Sequence, residues 1–303
     1  MQKFYSNGKL LITGEYVVLD GALSLALPTK YGQSLQVETF ENQTIVWESY
    51  DEKGQVWFED TFSFNELASG LTNGRNDISN RIIQILKAAR LLNPEFLSIT
   101  KGIKISTHLT FPRNWGLGTS STLINNVAQW TQVDAYKLLE NTFGGSGYDI
   151  ACAQHKFPLT YQLKNSVPHV NKIDFNPTFK NNLYFVYLNK KQNSRDGIAS
   201  FKANKGSIDT AISEISDITN KIIQSKTLLD FDTLITQHEV IISKIIKQQP
   251  VKELLFNDYN GSIKSLGAWG GDFILVTAEL NPSEYFKNKG YHTIIPYKEM
   301  VLL

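Results

Sequence analysis

The residues best suited to chemistry lie in four short segments, and the most telling runs Pro112-Arg-Asn-Trp-Gly116-Leu117-Gly118-Thr119-Ser120-Ser121. Two glycines let a backbone wrap closely around an anion, and the hydroxyls that follow can reach a phosphate or its metal. A Walker A loop would end in Gly-Lys-Ser/Thr, and this turn contains no lysine. The same residues also describe a plain strand-to-helix turn with Ser120 or Ser121 as N-cap.

In the second segment, Ser6-Asn-Gly-Lys9 to Gly14-Glu15-Tyr16, Lys9 opens an apolar strand and would project from a rigid element. Lys9 reads either as a solvated strand-end charge or as a catalytic cation, and Glu15 as a strand-end charge or a supporting partner. The third, Gly144-Gly-Ser146-Gly147-Tyr-Asp149, is a glycine-rich turn that delivers Asp149 ahead of a small, apolar continuation. Asp149 is then either an N-cap or a carboxylate held for proton removal or metal contact. The fourth, Lys264-Ser-Leu-Gly267-Ala268-Trp269-Gly270-Gly-Asp272-Phe273, either brings a second glycine loop to a nucleotide or forms a hairpin.

These segments need a scaffold, and the pattern of apolar residues supplies one. Short runs at Leu10 to Ile12, Ser34 to Phe40, Thr44 to Trp47 and Gln55 to Phe58, separated by turn formers, predict strands. Ile78, Ile82, Ile83, Ile85, Leu86 and Ala89 recur at helical spacing and predict a helix over 77–92, stopped by Asn93-Pro94. Alternation over 102–109 predicts a strand leading into the first segment, and 120–133 predicts the helix that follows it. Backbone N–H groups at the start of that helix would point at whatever fills the loop, for which a phosphate is the natural occupant. Beyond residue 180 a strand at 183–188, helices marked by Ile208 to Ile223 and Leu234 to Ile246, and strands at 273–277 and 292–295 give a β-α-α-β-β order. That order suits an α+β domain. Asn165, Pro168, Asn176, Pro177 and Asn181-Asn182 cluster where a boundary is expected, near 165–180.

Thirty basic residues against 29 acidic leave a formal charge of +1, so no global field draws the chain to nucleic acid or an acidic membrane. Any anionic ligand must be held locally. Cys152 is the single cysteine, which rules out an intramolecular disulfide and fits a reducing compartment. The opening residues lack a signal-peptide pattern, and no apolar run is long enough to span a bilayer, so secretion and membrane insertion are not expected.

Taken in order, the four segments resemble the galactokinase, homoserine kinase, mevalonate kinase and phosphomevalonate kinase (GHMP) family over residues 6–273. The family's Pro-Gly-Lys strand and Gly-Glu-His/Tyr are similar to Asn7-Gly-Lys9 and Gly14-Glu15-Tyr16, with Asn7 in place of proline. Its Pro-x-x-x-Gly-Leu-Gly-Ser-Ser loop is matched by Pro112 to Ser121, its Ser-Gly-x-Asp by Ser146 to Asp149, and its late glycine motif by 266–272 with Trp269 in place of a glycine. The resemblance implies an α+β, two-domain GHMP kinase fold: an N-terminal domain like ribosomal protein S5 domain 2 over 1–170 and a C-terminal ferredoxin-like α/β domain over 171–303.

It further implies an ATP-dependent small-molecule kinase that uses Mg2+, with Asp149 as the active-site aspartate and Lys9 as its lysine partner. The nucleotide would be held by Pro112, Gly116, Leu117, Gly118, Thr119, Ser120 and Ser121, and magnesium by Ser121 and Glu140. Glu15, Tyr16, Ser146, Gly147, Gly267, Ala268 and Gly270 would meet the acceptor. The acceptor expected first is mevalonate or phosphomevalonate. Homoserine, a sugar, ATP-dependent decarboxylation of diphosphomevalonate, and nucleotide binding without turnover are the alternatives. A cytoplasmic monomer or homodimer with no nucleic-acid partner completes the expectation.

Overall fold

A computed structural model describes residues 1–69, 74–98, 101–192, 194–204 and 206–303. The elements are of the mixed α+β class that the sequence predicts. They gather into two units: Met1–Gly8, Tyr31–Arg113 and Gly118–Gln154 in the first, and Lys9–Lys30, Asn114–Leu117 and His155–Leu303 in the second.

In chain order the first elements are β1 (Gln2–Leu11), β2 (Ser24–Phe40), β3 (Thr44–Tyr50), β4 (Val56–Ser63), α1 (Phe64–Ser69) and α2 (Asp77–Leu92). They are followed by β5 (Gly102–Leu109), α3 (Thr119–Thr131), α4 (Ala135–Glu140) and α5 (Tyr148–Gln154). Within the first unit the strand order is β4-β3-β5-β2, with β3 and β5 parallel and the other neighbours antiparallel. Alternation decides which face is buried: Ile45 and Trp47 of β3 point inward beside Ile105 of β5, and Ile82, Ile85 and Leu86 of α2 join them with Ile124 and Val127 of α3. Helix α2 matches its predicted span residue for residue, because Asn76 caps it by accepting from the N–H groups of Ile78 and Ser79 and Asn93-Pro94 ends it.

Helix α3 also carries a buried polar face. Ser6 Oγ donates to Asn126 Oδ1 at 2.8 Å and accepts from Asn125 Nδ2 at 2.8 Å, while Asn126 Nδ2 reaches the Gln33 carbonyl at 2.9 Å. Each buried polar atom named here has a partner, so this ladder sets the rotation of α3 against β1 and β2.

The second unit adds β6 (Leu159–Lys164), β7 (Val167–Lys172), β8 (Leu183–Tyr187), α6 (Ser194–Asn204), α7 (Asp209–Gln224) and α8 (Leu228–Ile246). It continues with α9 (Val251–Leu255), β9 (Ile263–Ser265), β10 (Phe273–Thr277), α10 (Ser283–Asn288), β11 (Ile294–Pro296) and α11 (Tyr297–Met300). An antiparallel sheet runs β11-β8-β10-β9. The start of β2 pairs with β6, and β6 with β7 through a turn at Asn165 and Ser166, both at positive φ. The β-α-α-β-β expectation is thus incomplete. β7 is mostly exposed and β9 only three residues long, and neither leaves an apolar periodicity to read. No helix among the described residues is long and apolar enough to cross a membrane.

Candidate functional site

The turn before α3 is built on two glycines at positive φ, Gly116 at 67° and Gly118 at 95°. A β-carbon on Gly116 would lie 2.3 Å from the Asp272 carboxyl carbon, so only glycine fits there. The Leu117 carbonyl accepts from the Lys9 N–H at 2.9 Å, which ties this turn to the end of β1. Pro112 is half-buried and Leu117 buried. In the first unit, Gly118 itself occupies the N-cap position of α3 and supplies no side-chain cap. The N-cap reading of Ser120 or Ser121 therefore does not apply: Thr119, Ser120 and Ser121 are the first helical residues, Ser120 is exposed, and Ser121 Oγ donates to the Gly118 carbonyl at 2.9 Å. No side-chain cap takes up the first-turn N–H groups, which is the arrangement an anion can use.

Within the second unit a cleft is lined by Lys9, Trp115, Gly116, Leu117, Gly267 and Asp272. Gly267, at φ 66°, opens the loop after β9, and a β-carbon there would lie 3.9 Å from Lys9 Nζ. Trp115 stands edge-on to Phe273, their ring centres 5.4 Å apart. Burial pushes the Asp272 carboxyl above its ordinary range, and the charge of Lys9 opposes that shift.

Glu15 does not line this cleft. Only 1% exposed, it pairs through Oε1 with Lys264 Nζ at 2.5 Å, a different setting from the substrate contact expected of it. Lys264, fully buried on β9, also donates to the Ser265 carbonyl at 2.9 Å and lies 3.5 Å from Glu239 Oε1. His238 Nε2 is 3.4 Å from Glu15 Oε2 but accepts the Gly14 N–H at 2.9 Å. That nitrogen therefore bears no proton, and His238 is neutral, in keeping with a pKa that burial, and then Lys264, drives well below the usual imidazole range. Burial raises Glu15, against the pull of Lys264.

Glu239 is pushed up to about 7, chiefly by burial. The sign of its effect on stability follows. The fold holds the proton up to about pH 7, whereas the unfolded chain releases it near the ordinary 4.5. Stability from this group is full below pH 4.5 and falls as pH rises to 7, by about 3 kcal/mol. Glu239→Gln is expected to stabilise the protein by up to about that amount at pH 8 and by little at pH 5, as read from urea melts at the two pH values.

Tyr16 and Trp269 belong to the hydrophobic core of the second unit. Trp269 is 2% exposed and clusters with Tyr16, Phe201, Ile242 and Ile246, and the Tyr16 hydroxyl accepts the Trp269 N–H at 3.4 Å. A tryptophan therefore takes a glycine's place in the late loop by turning its ring into the core, leaving the cleft side to Gly267. Ala268 is buried and Gly270 exposed.

In the first unit, Gly144, Gly145 and Gly147 all have positive φ and bring the chain into α5, whose first turn holds Asp149 half-buried. The Gly147 carbonyl accepts from Ala151, and Ser146 is half-buried. Glu140 is exposed at the end of α4. Among the described residues no group of three or more His, Cys, Asp or Glu side chains is arranged to hold a metal by itself.

The Glu15, His238, Glu239 and Lys264 network and the placement of Asp272 were not anticipated. A signal for two of them existed: His238 and Glu239 sit on the stripe of α8 that also holds Phe231, Ile235, Ile242 and Ile246, so polar residues stand at core positions of an apolar period.

No protein-family model and no curated protein sequence matches the chain. Solved structures do match in fold. A mevalonate kinase is 18% identical over 97% of this chain and 98% of its own, at a TM-score of 0.72. The Methanococcus jannaschii mevalonate kinase is 16% identical over 100% of this chain and 98% of its own, at 0.71. The Streptococcus pneumoniae phosphomevalonate kinase, in complex with phosphomevalonate and AMPPNP, is 15% identical over 100% and 98%, at 0.70. At these identities the likeness is one of fold.

Proposed function

Because the chain has the two-domain GHMP kinase fold, we propose that it is an ATP-dependent phosphotransferase acting on a small-molecule acceptor, with mevalonate and phosphomevalonate the first candidates. The observation that carries this reading is the cleft in which Lys9 faces glycine turns at 116 and 267, a local cation beside two closely approaching turns of backbone. The acceptor class comes from the names of the structural relatives, one of which binds phosphomevalonate and AMPPNP.

The start of α3, which has no side-chain cap, leaves first-turn N–H groups that fit an anionic group such as a polyphosphate. Magnesium arriving with a polyphosphate would need only one or two protein oxygens. Ser121 and Glu140 are the ligands we propose. When bound, the ion neutralises charge that builds on the transferred group.

In this proposal the turn 116–121 orients the phosphates, Lys9 stabilises negative charge as it develops, and Asp149 orients the acceptor and takes its proton. Glu15 supports the strand that carries Lys9 through its buried pair with Lys264. A buried Cys152 thiol suits the cytoplasm as the place of action. ADP release from ATP and Mg2+ with mevalonate, phosphomevalonate, homoserine, galactose and diphosphomevalonate tests the reading. One acceptor should raise the rate well above the acceptor-free background, and carbon dioxide release would mark the decarboxylating variant. Nucleotide binding with no acceptor-dependent turnover across the panel would make the protein a binder.

A further inference from the structure

Asp272 has no part in the mechanism above, yet its carboxylate lies against the turn at Gly116: a β-carbon there would meet Cγ at 2.3 Å and the two oxygens at 2.4 and 2.6 Å. Its position is set by the backbone. The Asp272 N–H donates to the Lys190 carbonyl at 2.6 Å, its carbonyl accepts from Leu188 at 2.8 Å, and Oδ1 accepts the Gln192 N–H at 3.2 Å. At φ 55° the residue occupies the left-handed region, which aspartate tolerates better than most side chains. A fixed carboxylate thus shares one cleft with Lys9 and the glycine turns.

A bare polyphosphate brought to Gly116 and Lys9 meets this carboxylate head on. Like charges held about 5 Å apart repel by well over the thermal energy even at an effective dielectric of 20. A divalent cation arriving with the phosphate removes the repulsion. We infer that Asp272 is a charge filter, a selectivity residue that makes the cleft accept metal-chelated polyphosphate and turn away the uncomplexed anion. The inference rests on reading this cleft as a phosphate-transfer site.

Titration calorimetry of inorganic tripolyphosphate into the full chain, once with Mg2+ equilibrated in both solutions and once with EDTA, tests it for the wild type, Asp272→Asn and Asp272→Gly. Asparagine removes the charge and is at ease at positive φ, and glycine relieves the backbone altogether, so two independent variants guard against a folding defect. The wild type should bind the bare anion at least about tenfold more weakly than the magnesium complex. Both variants should close most of that gap by tightening the EDTA measurement. A wild type that binds both forms alike, or variants that leave the ratio unchanged, would overturn the filter and leave the phosphate reading standing. No binding by the wild type in either condition would overturn that reading and the filter with it.

Discussion

Asp149→Asn is expected to lower kcat by about 100-fold or more with an alcohol acceptor while leaving the KM for ATP nearly unchanged. The substitution keeps the size of a half-buried side chain in the first turn of α5 and removes its capacity to take a proton. An alcohol with a pKa near that of water, ~16, must lose its proton during transfer. A phosphomonoester is different. With a second pKa of about 6 it is already a dianion at neutral pH, so the same variant should cost much less on phosphomevalonate than on mevalonate. The size of the loss thereby reports the acceptor class as well as the role of Asp149. Steady-state kinetics alongside a thermal melt separate chemistry from folding. Full turnover in a well-folded Asp149→Asn protein would remove this carboxylate from the reaction.

The second large effect is on stability. Lys264→Met should destabilise the protein by about 3–5 kcal/mol, because it leaves Glu15 buried without its cation and, above about pH 7, Glu239 as well. For a protein of this size that corresponds to a fall in Tm on the order of 10 °C. Charge burial, and not lost packing, is the predicted cause, since methionine fills a similar volume. Glu15→Gln and Glu239→Gln introduced together with Lys264→Met should therefore recover much of the loss, as fully neutralised buried clusters often do. A loss below about 1 kcal/mol for Lys264→Met, or no recovery in the triple variant, would show that the network contributes little.

Much of the scaffold was legible because local rules and tertiary packing agree. The isoleucine spacing of 77–92 and the alternation of 102–109 each define a buried face, and each element appears with the predicted limits. The glycines at 116 and 118 were legible for a related reason: positive φ and close approach are properties of one position, and glycine marks them. Trp269 was not. Replacing a glycine in a loop by tryptophan says nothing about which way the ring turns, and here Tyr16, Phe201 and Ile246 provide the core that receives it.

From the sequence alone came the order of strands and helices that repeat an apolar period, the glycine turns, and, through the family resemblance, the expectation that Lys9 and Asp149 serve phosphate transfer. Tertiary structure alone decided that Glu15 and Tyr16 are buried, that Lys264 neutralises a carboxylate 249 residues away, and that Asp272 stands over Gly116. It also decided that residues 9–30 and 114–117 belong with the second unit. The reason is physical: periodicity and backbone preference act between near neighbours in the chain, whereas the fate of a charge depends on which distant groups exclude water from it.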